Sequence, residues 1–574
     1  MVSPNLVEKK IESGTEELNV NAKKLFQAVY NDIHAADDKN DGSPHIRVSE
    51  LISKMAFFYE KIRNAVDYDE DHLLRKNAIA RILKRQVRIE GLLKVSSNEE
   101  LAQHLLAELI RAGYLQNNHL PESKIKEVAN ILDKYLKLKD MVVKHEENNA
   151  KAKRINKKSK ELLKDKTSLI VFLLNIAACE IEEGLVQSRT KRAMVNVMFD
   201  AINRIIELPD DLPYSSDLQI QIYLSIGRNY SRFDEDMLAF VLFKYYNTGW
   251  TGDHIDLMFS PADEQIKQMA FSIHDLRQAI EYQLNHPLKK QLDKIVRRYA
   301  LYFTVLQDAI IKDPAKVYNE FKYNPKTFYT AIRKVCNLKY KKAKSRLWRA
   351  ALRSIIYIFL TKSIFVLLIE IPAIHLFHQP LNYISLIINI SFPAVLLFFI
   401  VLLTRVPGDN NTEKIIEGVS EIAILGKERN RPIKLRNPQK RGYVLNAIFN
   451  LIYFSTFLIS LYAIVWLLIK VNFNWVSIII FLFFLAFVSF FSIIVTRGVK
   501  ELIVLEKKEN LFSFLMDLFY MPIIIAGKWL SNNISKINVF IFVFDFIIEA
   551  PFKILVDVAE DWTKYLKERK DNMV

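Results

Sequence analysis

The sequence predicts an all-α membrane protein, in which a cytoplasmic multi-helix domain is followed by a four-helix transmembrane bundle and C-terminal interfacial or re-entrant amphipathic helices. Glycine supplies only 14 of 574 residues, well below the usual share of about 7%. Apolar residues recur at helical spacing before residue 354. Beyond it come four apolar runs, at about 354–371, 381–404, 443–469 and 473–496. A spanning helix needs roughly 17–25 such residues, so each run is long enough to cross a bilayer.

Composition divides the chain further. Residues 1–20 are polar, and we expect a disordered tail there. The polar stretch 140–166 separates two sets of helical segments, which predicts a linker. The expected organisation is a tail at 1–20, a helical subdomain at 21–139, a basic linker at 140–166, a second helical subdomain at 167–353, a transmembrane region at 354–496, and C-terminal interfacial helices with a tail at 497–574.

Basic residues predict the orientation of the spanning helices. The connection between the first two runs contains neither Lys nor Arg, whereas the connection from 405 to 442 is rich in both. Connections rich in Lys and Arg remain cytoplasmic, so the N- and C-termini are predicted to lie on the cytoplasmic side of a cell inner membrane. A basic collar also precedes the first run: Lys339, Lys341, Lys342, Lys344, Arg346, Arg349 and Arg353.

The basic collar predicts binding of anionic membrane lipid, since each basic residue near a charged bilayer contributes about 1 kcal/mol. The formal net charge of +16 could instead indicate nucleic acid. The other basic stretch, Lys151–Lys166 (KAKRINKKSKELLKDK), has no interleaved aromatic residues and no recognisable module, and a solvated helix face explains it. Nucleic acid is therefore not an expected partner.

Lys362 lies midway through the first apolar run. A lysine at that depth costs about 2.5–3.5 kcal/mol on insertion scales, so it should face protein, water or a counter-charge. In the C-terminal segment 537–556, Asp545 and Glu549 share one helical face. We predict that Lys362 forms an intramembrane pair with Asp545 or Glu549. The alternatives are snorkelling toward the cytoplasm or contact with the Asn446 and Asn450 side of the third run.

No phosphate-binding, zinc-protease or nucleophile-elbow motif occurs in the chain, so the sequence argues against an enzyme and predicts no cofactor. A His, His–Asp, Asp metal set of the phosphohydrolase type could be assembled from His254, His274, Asp275 and either Asp293 or Asp308. Such dipeptides are common, and two of the four ligands are chosen from many candidates, so no metal site is predicted.

Two segments carry a resemblance: Phe57–Leu74 (FFYEKIRNAVDYDEDHLL) and Ile534–Asp557 (ISKINVFIFVFDFIIEAPFKILVD). Both are similar to uncharacterised large polytopic membrane proteins of uncultured, reduced-genome bacteria. The resemblance implies a bacterial origin and no particular activity.

The leading functional hypothesis is a membrane-anchored cytoplasmic helical scaffold that binds other proteins and anionic lipid. A small transporter or channel with a cytoplasmic regulatory domain is the alternative, and a membrane-bound metal-dependent hydrolase is the third. Few polar groups interrupt the second and fourth runs, which counts against transport. A grooved soluble domain favours a scaffold, a water-accessible cavity reaching Lys362 favours transport, and a metal at His274–Asp275 favours hydrolysis. The sequence carries no signal of oligomeric state.

Overall fold

The computed structural model describes most of the chain in two compact units. The helical unit comprises Val20–Ala300, Arg429–Arg436 and Asp545–Val574, and the membrane unit comprises Met1–Asn19, Leu301–Glu428 and Asn437–Phe544. The described residues are 18–37, 44–49, 70–90, 97–152, 159–186, 189–247, 263–311, 325–424, 432–437, 442–505 and 511–536, together with isolated positions between them.

Helices dominate the described part of the helical unit, as the scarcity of glycine predicts. They are α1 Val20–Asp37, α2 Asp71–Glu90, α3 Asn98–Arg111, α4 Ser123–Ala152, α5 Ser159–Leu185, α6 Arg189–Ile205, α7 Leu218–Ile226, α8 Glu235–Tyr246, α9 Asp263–Leu284 and α10 Lys289–Ile310, which continues into the membrane unit. A π-helical turn, Gly227–Ser231, follows α7. The strands β1 Ile206–Glu207 and β2 Ile433–Lys434 form a short parallel pair.

Local sequence signals explain where several helices begin. Ser97 accepts a hydrogen bond from the backbone of Glu100, whose side chain accepts one in return, and this capping box starts α3. Asp234 accepts from the backbone N–H of Met237 at the start of α8. Such caps satisfy backbone donors that have no partner inside the helix.

The core of the helical unit surrounds α5. Its apolar stretch from Leu169 to Cys179 is buried against α2, α4 and α8, as expected for a segment too short to cross a bilayer. The expected linker at 140–166 differs from the structure, because α4 continues to Ala152 and α5 begins at Ser159. One hydrophobic core contains residues from both sides of that stretch, and the division between the units lies within α10 rather than near residue 353.

The membrane unit contains the four predicted apolar helices. Its described helices are α11 Pro325–Phe365, α12 Ile371–Leu376, α13 Tyr383–Leu403, α14 Asp409–Ala423, α15 Tyr443–Lys470, α16 Trp475–Lys500 and α17 Leu511–Lys536. A π-helical turn at Val366–Glu370 joins α11 to α12. Four continuous helices are long and apolar enough to cross a membrane: Thr327–Leu376, Tyr383–Leu403, Tyr443–Lys470 and Trp475–Lys500. The chain is therefore a membrane protein, with α13 and α16 packed on α11.

The helix α17 packs along α16 and α15. Gly527 allows close approach, because a Cβ there would lie 1.9 Å from the carbonyl oxygen of Ala486. Across the other contact, the Ser460 hydroxyl donates to the carbonyl of Phe519 at 3.1 Å, within the turn that precedes Pro522. Small residues and hydroxyl bonds of this kind join helices in membranes. The predicted interfacial position of this segment stays a prediction, and segment 537–556 lies outside the described residues.

Candidate functional site

An open cavity of about 640 Å³ lies within the helical unit. Its walls come from α2, α5, α6, α7, the π-helical turn and α8. Apolar side chains form most of its buried surface: Cys179, Leu224, Met237, Phe240 and Leu242. Cavities of this size and lining bind apolar groups of ligands or partner side chains.

Large apolar side chains remain exposed at the mouth of this cavity. Val186 is 46% exposed, Tyr223 is 37% exposed and Tyr245 is 56% exposed. The ring of Tyr223 contacts Phe199 edge to face, with centroids 6.1 Å apart. Clustered exposed aromatic and aliphatic side chains around an apolar hollow are typical of binding surfaces.

The charges at the cavity are partly neutralised by neighbours. Arg75 binds both carboxylate oxygens of Glu182, at 2.7 and 2.8 Å, and Lys244 contacts Glu183 at 2.6 Å. Lys191 and Arg192 on α6 contribute two further cations, and Arg192 is exposed to solvent. The charged groups lining the cavity therefore carry an excess of positive charge over negative.

Burial shifts the pKa of several groups that line the cavity, among them His72 and Cys179. The pKa of His72 is lowered, first by burial and then by the positive charge of Lys191. The Nε2 atom of His72 has no hydrogen-bond partner, which agrees with a neutral ring. Burial also raises the pKa of the Cys179 thiol well above its ordinary value. Cys179 is therefore a protonated, unreactive thiol in the folded protein.

In the membrane unit, Lys362 is completely buried. Its Nζ lies 3.9 Å from the centroid of the Phe484 ring on α16 and has no hydrogen-bond partner. The alternative contact of Lys362 with Asn446 and Asn450 is not found, because both asparagines are exposed on α15. The aromatic face holds the ammonium instead, through a cation–π contact. The predicted partners Asp545 and Glu549 lie outside the described residues, so that pairing stays a prediction.

A second buried ionisable group, Glu370, occupies the end of the π-helical turn. Its Oε1 accepts two hydrogen bonds of 2.6 Å, one from Asn389 Nδ2 on α13 and one from Ser477 Oγ on α16. Glu370, Asn389 and Ser477 are called the carboxylate cluster below. The sequence argument overlooked Asn389 and Ser477, although polar residues inside apolar runs are the signal that marks such sites.

The metal candidates do not come together in the described structure. His274 and Asp275 are exposed on α9, and His254 lies outside the described residues. Asp293 Oδ1 accepts hydrogen bonds from Ser225 at 2.7 Å and from Arg228 at 3.0 Å. Within the described ranges, no three histidine, cysteine, aspartate or glutamate side chains are grouped as a metal site requires.

The basic collar lies along α11, where it forms part of the first long helix. Lys339 makes an ion pair of 2.5 Å with Asp308 and is largely covered. The other six members point to solvent: Lys341, Lys342, Lys344, Arg346, Arg349 and Arg353. They carry the exposed positive charge of this helix.

A comparison with known proteins found no relative of this chain. No protein-family model, curated protein or solved structure matches the chain.

Proposed function

We propose that this chain is a membrane-anchored interaction protein, whose helical unit binds an amphipathic helix of a partner protein in the 640 Å³ cavity. The observation that carries the proposal is the cavity itself, which combines apolar walls with exposed aromatic residues at its mouth. An amphipathic helix binds in such a hollow by inserting apolar residues spaced three and four positions apart.

Charge indicates which amphipathic helix fits best. Glu182 and Glu183 are already bound by Arg75 and Lys244, whereas the exposed Arg192 offers its guanidinium to an incoming group. A partner helix with carboxylates beside its apolar face complements this rim. Complementary rim charges accelerate association and favour the correct partner.

Photocrosslinking on the full chain tests the occupant. A photoreactive amino acid replaces Tyr223 at the cavity mouth or, as the control, Phe271, which is equally apolar and 66% exposed on α9 of the same unit. We expect a peptide adduct at position 223 alone, derived from an acidic amphipathic segment. Adducts of lipid mass alone, or the same protein adducts at both positions, would contradict the proposal.

A binding measurement completes the test. The synthetic segment identified at position 223 should bind the purified full chain, and Arg192→Glu should weaken that binding about tenfold, equivalent to about 1.4 kcal/mol. Arg204→Glu is the matched control, because Arg204 is exposed on the same helix, α6, and does not line the cavity. Equal loss in both variants would show a general charge effect rather than a site.

Anionic lipid is the second proposed partner, through the exposed members of the basic collar. Lys341, Lys342 and Lys344 are close together on α11, and each should contribute about 1 kcal/mol beside a charged bilayer. Replacing all three with Gln should reduce retention of anionic lipid by the purified full chain, with the largest difference at low salt because salt screens exposed charges. Retention that ignores both the substitutions and the salt would contradict this role.

The proposed setting is a bacterial inner membrane, with the helical unit in the cytoplasm. The charge difference between connections supports this orientation. In a background without Cys179 and Cys336, Gln379→Cys should react with an impermeant thiol reagent added outside intact cells. Lys414→Cys should react only after the cells are opened, and the reverse pattern would invert the topology.

A further inference from the structure

The carboxylate cluster contains more hydrogen-bond acceptors than donors that reach them. Both available donors, Asn389 Nδ2 and Ser477 Oγ, bind the same oxygen of Glu370, Oε1. The other carboxylate oxygen, Oε2, and the amide oxygen of Asn389 are buried and have no hydrogen-bond partner. An unpaired buried acceptor costs free energy comparable to its lost hydration.

The chemistry of these two oxygens restricts what can satisfy them. An ionised carboxylate oxygen and an amide oxygen only accept hydrogen bonds. They therefore require a positively polarised hydrogen or a cation. Lys362 binds neither oxygen directly, because its ammonium lies against the Phe484 ring without a hydrogen-bond partner; it acts on Glu370 only through longer-range attraction. Eight residues separate it from Glu370, which corresponds to about 12 Å of helix.

Few charged groups surround the carboxylate cluster. The helix α13 contains no Asp, Glu, Lys or Arg, and the charged residues of α16, Arg497 and Lys500, lie some 20 residues or about 30 Å beyond Ser477. On the helix that carries Glu370, the nearby titratable groups are the buried Lys362 and the exposed His375. Among the described residues of α11, the π-helical turn, α12, α13 and α16, Glu370 is therefore the only acidic residue.

Local structure holds the cluster in place. Asn474 caps α16 by accepting from the backbone N–H of Ser477 at 2.8 Å, which fixes Ser477 in the first turn. The π-helical turn inserts an extra residue into the helix that carries Glu370. Turns of this type are often found at functional sites in helices.

We propose that Glu370, Asn389 and Ser477 form an intramembrane binding site for one monovalent cation. The cation is either a proton carried on Glu370 Oε2 or a sodium ion held by that oxygen and the Asn389 amide oxygen. In both cases the ligand binds directly to the unpaired acceptors, which Lys362 does not do. This inference is independent of the cavity in the helical unit, and it places an ion-binding element in the part of the chain that the scaffold function uses only as an anchor.

Thermal unfolding of the purified full chain in detergent tests the site. Binding to the folded state alone raises the unfolding temperature as ligand concentration rises. The wild-type protein should be stabilised by NaCl relative to choline chloride, or by lowering the pH at constant salt. Glu370→Gln should lose this response. Ser477→Ala removes one donor that stabilises and positions the ionised carboxylate, so it should change the apparent affinity about tenfold. A proton should bind more tightly, because the ionised form loses a hydrogen bond, whereas a sodium ion should bind more weakly, because the carboxylate is no longer held in place.

Ser391→Ala is the matched control. Ser391 lies on α13, is not buried, and donates to the carbonyl of Ile387 in its own helix at 2.7 Å. Its substitution should leave the cation response unchanged. If Glu370→Gln does not fold, the comparison between Ser477→Ala and Ser391→Ala still decides the test.

Infrared spectroscopy separates the two cations. A proton site should produce a carboxylic-acid band that grows as pH falls and is absent in Glu370→Gln, and sodium should leave this band unchanged. A sodium site should show the band suppressed by NaCl and not by choline chloride. A wild-type protein indifferent to both cations, or Glu370→Gln with an unchanged response, would overturn the proposal.

Discussion

Breaking the buried ion pair between Lys134 and Glu180 should loosen the helical unit strongly. Lys134 is 2% exposed and Glu180 is 6% exposed. The Lys134 ammonium donates to Glu180 Oε1, and the Tyr135 hydroxyl donates to Oε2 at 2.7 Å. Burial and the neighbouring carboxylate of Glu180 raise the pKa of Tyr135, which keeps its hydroxyl protonated as a donor.

The expected magnitude follows from the burial of both charges. Removing one partner of a buried pair typically costs about 3–5 kcal/mol, because the other charge stays desolvated without compensation. Glu180→Gln leaves the Lys134 ammonium in that position, and Lys134→Met leaves the carboxylate. The combined variant removes both charges and should recover most of the lost stability. A loss of about 3–5 kcal/mol raises the population of opened molecules by roughly two to four orders of magnitude.

The two cysteines allow each unit to be followed separately. Cys179 is buried beside Glu180 in the helical unit, and Cys336 is buried in the membrane unit. In a Cys336→Ser background, the rate at which a thiol reagent modifies Cys179 reports opening of the helical unit. We expect both single substitutions to raise this rate by roughly two to four orders of magnitude.

Two results would refute this reasoning. The first is a combined variant whose loss equals the sum of the single losses within about 0.5 kcal/mol, since such additivity means that the two residues do not interact. The second is an equal increase in the modification of Cys336, measured in a Cys179→Ser background, because that would indicate general destabilisation rather than a local effect.

Three further predictions concern single positions. Gly527→Ala should destabilise the detergent-solubilised protein by about 1–3 kcal/mol, because the added Cβ clashes with a backbone carbonyl of α16. Gly498→Ala is the control, because its added Cβ meets nothing within 4 Å, and it should be neutral or slightly stabilising. Equal effects of the two substitutions would contradict the close approach of α17 to α16. The pKa of His72 is lowered in the folded protein, so the unfolded chain binds more protons just below about pH 6.5. The contribution of His72 to stability is therefore present above that pH and is lost as pH falls. Urea unfolding at pH 7 and pH 5 should show that acid reduces the stability of His72→Phe less than that of the wild type, and an equal reduction would exclude this cause. Lys362→Met should leave thermal stability unchanged or raised, because the ammonium has no acceptor. A loss above about 2 kcal/mol would exceed a cation–π contact and would indicate strong attraction to a carboxylate, either Glu370 or Asp545.

The spanning helices were predictable because their cause is local. Every residue in a run such as 473–496 must be compatible with lipid, so the run alone reports the solvent that surrounds it. The all-α class follows in the same way from composition and from helical spacing. The basic collar is recognisable in the sequence as a run of Lys and Arg, and its lipid binding stays a prediction. The ion pair of Lys339 with Asp308 was not predictable, because Asp308 lies on a different helix.

The candidate sites depend on contacts between residues that are distant in the chain. Asn389 is 19 positions from Glu370 and Ser477 is 107 positions away, so no local pattern in the sequence joins them. Periodicity shows that a residue is buried, but it does not show which residue it meets. The side chain facing Lys362, the walls of the cavity and the division inside α10 were therefore decided by the packing of the helices. Packing selects partners through shape and hydrogen bonding across the whole chain, whereas the spanning runs and the helical class arise from the properties of each segment alone.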